Sequence, residues 1–269
     1  MNNNILLFIV AAFALSIQSC KDHSIQYGNN GRAGKYVDIR GIKMYCEIYG
    51  NGKPLLMIHG NGGSIRSFNN IIPFYSKNYK IVLTDSRAQG KSVDGNDSLS
   101  FEMMADDEAA LLQALQIDSA YVIGWSDGGI VALMLAMRHP EKVKKLAATG
   151  ANLWPDSTAI KPQQWLSSKY YHDSLKNKVW PNAAEKNDWK LFMLDWAQPH
   201  LSLASLQGIK CPALIVAGEH DIINESHTRE IAKSIPDSRL WIVPNSGHST
   251  FIDQKDSFNK RVDEFFKAP

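Results

Sequence analysis

The sequence predicts an α/β protein built on an open, mostly parallel sheet flanked by helices. Three observations predict it. Six short runs are apolar without interruption, as in strands buried on both faces. Helical patterns, amphipathic or apolar all round, lie between those runs. The 269 residues are 44% hydrophobic and 21% charged, a balance that suits globular domains and argues against disorder or a fibrous repeat.

The body opens on two alternating runs, residues 36–40 and 42–49, which read as a hairpin around Gly41. The continuous runs follow at 55–58, 81–83, 121–123, 146–148, 213–216 and 240–243. Ser100 suits the N-cap of a helix whose stripe is Met104, Ala105, Leu111, Leu112 and Leu115. Residues 130–139 form a second helix, apolar nearly all round and ended by Pro140. Residues 226–234 and 257–266 make two more. This alternation of strand and helix is what predicts the parallel sheet. Residues 152–207 break the rhythm. They hold five of the seven tryptophans and no clear strand, and read as a helical insertion packed over one edge of the sheet.

The N-terminal segment reads as an address. Residues 5–15 are an unbroken apolar run of eleven, too short to cross a bilayer and suited to the core of a secretion signal. Ser16-Ile17-Gln18-Ser19 then leads to Cys20. Ser19-Cys20-Lys21-Asp22 resembles a bacterial lipoprotein signal, in which the cysteine is lipidated and becomes the first mature residue. A plain secretory signal or a buried N-terminal helix are the alternatives. We expect residues 1–19 to be the signal, 20–35 a tether and 36–269 the domain, anchored in the cell envelope through Cys20. Cys46 and Cys211 are able to pair in an oxidising compartment, with free buried thiols as the default. Three cysteines exclude a disulfide scaffold and a four-cysteine zinc site. Lys plus Arg is 29 against 27 Asp plus Glu, with no polybasic run, so no nucleic-acid partner is expected.

The chemistry sits where strands end. Gly124-Trp125-Ser126-Asp127-Gly128 follows the run at 121–123 and opens the helix at 130. This is a G-x-S-x-G turn in the strand-to-helix context it requires. Its glycines let backbone approach closely, and Ser126 is expected on a strained turn at the positive end of a helix. A serine hydroxyl needs a base, and the base needs an orienting partner. Both occur in the order Ser, Asp, His: Asp221 follows the run at 213–216, and His248 follows the run at 240–243. The carboxyl ends of strands are where ligands gather in open α/β sheets. A tetrahedral intermediate needs donors for its oxyanion. The backbone N–H of Asp127 is one expected donor. The glycine-rich loop His59-Gly60-Asn61-Gly62-Gly63 supplies the other, at Asn61, with Gly60 and Gly62 as competitors. His59 is expected to be structural, since one base is enough.

From residue 36 onward the chain resembles the α/β-hydrolase fold family. The markers are His59-Gly60, Asp85-Ser86-Arg87-Ala88-Gln89-Gly90-Lys91-Ser92, the Ser126 turn, Gly218-Glu219-His220-Asp221 and Gly247-His248. The resemblance implies a catalytic triad of Ser126, Asp221 and His248, and a cap at residues 152–207 over the active site. It departs at Ala88, where the family usually has glycine. The Ser126 turn, with Gly150-Ala151-Asn152, is similar to the valacyclovir hydrolase branch of the family. In that branch the acidic residue after the serine binds a substrate α-amino group, which by position implies Asp127. The rival role for Asp127 is a favourable charge at a helix N-terminus. Trp125 is expected to contact substrate as well.

The reading is therefore a serine hydrolase for a small ester, lactone or thioester, with no metal and no cofactor, and a small molecule as its partner. Carbon–carbon bond hydrolases use the same triad and stay open. Family members with an Asp nucleophile are disfavoured by Ser126. A non-catalytic small-molecule-binding lipoprotein is the rival from another class.

Overall fold

The computed structural model describes residues 25–269. The signal-like run and Cys20 lie outside them. Eight strands form one sheet: β1 (Gly34–Ile39), β2 (Ile42–Tyr49), β3 (Lys53–Ile58), β4 (Tyr79–Thr84), β5 (Ala120–Trp125), β6 (Val143–Thr149), β7 (Ala213–Gly218) and β8 (Ser238–Val243). Their order is β1-β2-β4-β3-β5-β6-β7-β8. The pairs β1/β2 and β2/β4 are antiparallel, and every other pair is parallel.

Eight helices accompany the sheet: α1 (Ile72–Tyr75), α2 (Phe101–Ala114), α3 (Asp127–Arg138), α4 (Pro162–Leu175), α5 (Ala183–Ala197), α6 (Glu225–Ser234), α7 (Thr250–Asp253) and α8 (Lys255–Lys267). Each of the six continuous apolar runs lies in a strand, and in the central strands side chains alternate between two buried faces. Leu56, Ile58, Val82, Val122 and Leu146 face one core, shared with α2, α3 and α6. Leu55, Met57, Leu83, Ile123 and Ala147 face the other, shared with α1 and α8. Ser100 caps α2 by accepting from the Met103 N–H at 3.2 Å.

Residues 25–33 correct the expectation of a tether. They fold back onto β2 because Glu47 is fully buried and its carboxylate must be paired. Glu47 accepts from the N–H groups of Gly28 and Asn30, each at 2.8 Å, and from the hydroxyls of Tyr45 and Tyr49 at 2.8 and 2.7 Å. Tyr27 adds an edge-to-face contact with Tyr49 at 5.1 Å. Cys46 and Cys211 are free and buried, and burial pushes both thiols up to about 11.

The predicted insertion lies between β6 and β7 and is helical, carrying α4 and α5. Its packing differs from the rest of the molecule. Helix α4 buries no residue, and α5 buries only Leu191 and Leu194. Aromatic rings join the two helices instead. His172 of α4 stacks on Trp196 of α5 at 4.6 Å, and Tyr171 meets Phe192 edge-to-face at 4.7 Å. The tryptophans that stood out in the sequence thus tie two half-exposed helices together.

Candidate active site

The turn between β5 and α3 is held by contacts that only glycine permits. A Cβ on Gly124 would stand 2.1 Å from the Gly128 carbonyl oxygen, and one on Gly128 would stand 2.0 Å from that of Ile58. Between them Ser126 adopts φ +58°, a conformation costing about 1–3 kcal/mol for a non-glycine residue. The Ser126 N–H donates to the Thr149 carbonyl at 2.8 Å, which fixes the turn to β6. The hydroxyl therefore stands at the carboxyl end of the central strand.

Two later strands bring its partners. His248, after β8, places Nε2 2.9 Å from Ser126 Oγ. Its Nδ1 lies 2.7 Å from Asp221 Oδ1, after β7. An Nδ1–H donated to the carboxylate leaves Nε2 as acceptor for the serine proton. Asp221 is only 2% exposed, and the N–H groups of Ile223 and Gly218 donate to it at 3.1 and 3.3 Å. The His248 loop is braced in turn: Asp253 accepts from the Gly247 N–H at 2.8 Å and from Ser246 Oγ at 3.2 Å.

The loop after β3 passes over the serine. A Cβ on Gly60 would stand 2.9 Å from Ser126 Cβ. Among the described residues, the backbone N–H groups of Asn61 and Asp127 have no protein acceptor. His59 is fully buried and pins this loop, with Nδ1 2.7 Å from the Gly60 carbonyl oxygen and Nε2 accepting from the Ser86 N–H at 3.0 Å. It lies outside the Ser126–His248–Asp221 chain, as the sequence reading expected. Ala88 holds φ +64°, which explains the glycine usual at that position.

These residues open onto a cavity of about 120 Å³, lined by Ser126, Asp127 and His248 together with Trp165, Phe192, Asp195 and Trp196 of the insertion. A larger cleft of about 600 Å³ lies between α5 and residues 94–99 and contains none of the triad side chains. Asp127 is 3% exposed, and its carboxyl lies within hydrogen-bonding reach of the Asp195 carboxyl. Asn61 Nδ2 donates to Asp127 Oδ2 at 2.9 Å and to the Leu191 carbonyl at 3.0 Å, tying the β3 loop to α5. Burial and the neighbouring Asp195 carboxyl push Asp127 well above the usual carboxylate range. Asp195 is raised as well, chiefly by desolvation. Two adjacent carboxylates do not both ionise readily, so each makes its neighbour harder to deprotonate.

Trp125 is a correction. It does not line the cavity; its indole packs beside His248 and Phe251 on the far side of the turn. Residue alternation along β5 accounts for this, since neighbours in a strand face opposite ways. Asp195 is the residue that sequence reasoning missed. It is one of 27 acidic residues, on a helix with no motif to mark it.

A family model described as alpha/beta hydrolase fold matches residues 53–178. The human serine hydrolase BPHL is 27% identical over 288 residues, spanning 96% of this chain and 89% of that protein. A meta-cleavage product hydrolase from Pseudomonas fluorescens IP01 superposes with a TM-score of 0.71 at 22% identity, covering 88% of this chain and 98% of that one. The chain has the α/β-hydrolase fold. An enol-lactonase from Burkholderia xenovorans LB400 shares the fold at a TM-score of 0.70 and 20% identity, over 87% of this chain and all of that one. Relatives of this α/β-hydrolase thus carry several hydrolase names on one architecture, so its substrate has to be argued from its own cavity.

Proposed function

We propose that this α/β-hydrolase cleaves a small ester through an acyl-enzyme on Ser126. One observation carries the reading: Ser126 Oγ, His248 and Asp221 are linked by contacts of 2.9 and 2.7 Å at the mouth of one cavity. In this mechanism His248 Nε2 takes the hydroxyl proton as Oγ attacks the ester carbonyl. Asp221 holds the imidazole in the right tautomer and stabilises the imidazolium. The free N–H groups of Asn61 and Asp127 receive the oxyanion, each worth about 3 kcal/mol in such sites. His248 then protonates the departing alkoxide, and water repeats the attack with His248 as base.

The carboxyl pair supports the finer reading. Asp127 and Asp195 put negative potential beside the nucleophile in a cavity whose other walls mix the aromatic rings of Trp165, Phe192 and Trp196 with Ile160, Ile222, Ile223 and a few neutral polar side chains, which suits an acyl group that carries an ammonium. An α-amino-acid ester has that shape. Ser126→Ala is expected to lower p-nitrophenyl acetate turnover by about a million-fold and to abolish labelling by a fluorophosphonate. Full activity in that variant refutes the reading. A carbon–carbon substrate turned over in preference to every ester would keep the triad and overturn the ester assignment. Export with lipidation at Cys20 belongs to the same reading, supported by the apolar run at 5–15 and Ser19-Cys20. The mass of the mature N-terminus tests it, and an unmodified Met1 refutes it.

A further inference from the structure

The base and the oxyanion loop reach Ser126 from different strands, so something must hold both in register with it. Trp125 touches both. It is the residue before the nucleophile, and its main chain is fixed within β5. Its indole Nε1–H donates to the backbone carbonyl of His248 at 3.0 Å. Its ring lies 5.8 Å from the imidazole, and Phe251 buttresses it edge-to-face at 5.3 Å. On another edge the indole meets the oxyanion loop: a Cβ on Gly60 would stand 3.2 and 3.3 Å from Trp125 Cε3 and Cζ3. One side chain from the nucleophile's own turn is therefore wedged between the two loops that complete the site.

We propose that Trp125 is a positioning residue that sets His248 and the Gly60–Asn61 loop relative to Ser126. The proposal rests on the serine-hydrolase reading. Other anchors of the His248 loop act at Asn245, whose N–H donates to Glu219 at 2.9 Å, at Gly247 and Ser246, through Asp253, at the Ser246 carbonyl, which accepts from the His220 N–H at 2.8 Å, and at Thr250, whose Oγ1 lies 2.9 Å from Thr149 Oγ1. Of those contacts, the Thr250 hydroxyl refers to the nucleophile's turn only indirectly, through Thr149, whose carbonyl accepts from the Ser126 N–H. The indole does so directly, through the carbonyl of the histidine itself. Precision here matters, because displacing a catalytic group by about 1 Å costs on the order of a hundred-fold in rate.

Two replacements separate the donor from the ring. Trp125→Phe removes the N–H and keeps an aromatic wedge. Benzothienylalanine at the same position keeps the bicyclic shape and lacks the donor. Loss of one neutral hydrogen bond predicts a fall in kcat of about five-fold for both on p-nitrophenyl acetate, with KM changed by less than about two-fold. The rate of fluorophosphonate labelling is expected to fall by the same factor, since it needs the same serine–histidine geometry. Trp125→Ala removes the wedge too, and its expected loss is on the order of a hundred-fold. A readout independent of turnover is the low-field proton resonance of His248 Nδ1–H, which is expected to broaden in both donor-free proteins. Unchanged kcat and labelling in them would overturn the proposal. So would a rise in KM at constant kcat, the mark of a substrate contact, or a loss that merely follows the unfolded fraction. If the parent protein neither turns over esters nor labels, the serine-hydrolase reading itself has failed. A sharp Nδ1–H resonance that the substitutions leave untouched then overturns the positioning role as well.

Discussion

Asp195→Asn tests the substrate class most directly. The change keeps size and shape and removes one of the two carboxyls that face the cavity. Asp127 is left with the Asn61 amide at 2.9 Å and no carboxyl neighbour. In the parent protein both carboxyls are raised, so the pair holds a proton more tightly than an isolated carboxyl does. An entering ammonium takes the place of that proton and gains a charge-assisted bond to each carboxylate. Such bonds are worth about 1.5–3 kcal/mol, so losing the one to Asp195 costs about 10- to 100-fold in kcat/KM for an α-amino ester. The des-amino ester lacks the group and is expected to lose far less. The assay is the ratio of kcat/KM for the two esters, in parent and variant, across pH. The sign follows from the raised carboxyls. As pH falls through their range they become neutral and amine binding weakens, so the parent's ratio rises with pH until the amine itself deprotonates near pH 8. The variant's ratio is expected to be smaller throughout. A parent ratio near one, or a ratio unchanged by Asp195→Asn, refutes the argument while leaving the triad intact.

Two further outcomes follow from single contacts. Gly150 has φ +67°, and a Cβ there would stand 2.7 Å from His248 Cε1 and 2.9 Å from Nδ1. Gly150→Ala is expected to push the imidazole off the serine and lower kcat on the order of a hundred-fold, checked by ester kinetics on a variant that still folds. Glu108 is fully buried, and desolvation pushes it up to about 8, with the Thr84 hydroxyl donating to it at 3.0 Å. A raised carboxyl favours the fold most below its unfolded value and loses that contribution as pH rises through the folded one. Thermal unfolding from pH 5 to 9 should therefore show Glu108→Gln gaining on the parent up to about pH 8, and then a constant difference. No change in the gap with pH would refute it.

The central strands were legible because each carries a continuous apolar run, and burial on both faces leaves few polar positions to obscure the pattern. The meeting of Ser126, Asp221 and His248 was legible for a related reason. Gly124 and Gly128 are demanded by backbone contacts near 2 Å, so the turn writes itself into the sequence at fixed spacing. Asp221 and His248 then follow their strands directly. What stayed hidden depends on where a side chain points or on contacts distant in sequence. Trp125 shows the first case: adjacency to Ser126 suggested a substrate contact, yet its indole points at the His248 carbonyl. The folded segment at 25–33 shows the second. Its glycines and asparagines read as a loose tether because the groups that pin it, Glu47 above all, lie a whole strand away.

Asp195 belongs to the second case and carries the most consequence. It reaches Asp127 only because α5 crosses the end of the sheet, and α5 is placed by aromatic rings and by the Asn61 amide, with few buried aliphatic residues. Such a helix has no strict apolar stripe to fix its register, so its inward face is not written in periodicity. The scaffold that makes a nucleophile must keep its glycines and its strand ends. The inserted helices need only offer a face to the cavity, and different side chains there leave Ser126, Asp221 and His248 as they are. That separation accounts for an enol-lactonase and a meta-cleavage product hydrolase sharing this fold with the chain at 20–22% identity. Under the amino-ester proposal, the specificity of this chain lies where α5 meets the β5–α3 turn, at the two carboxyls.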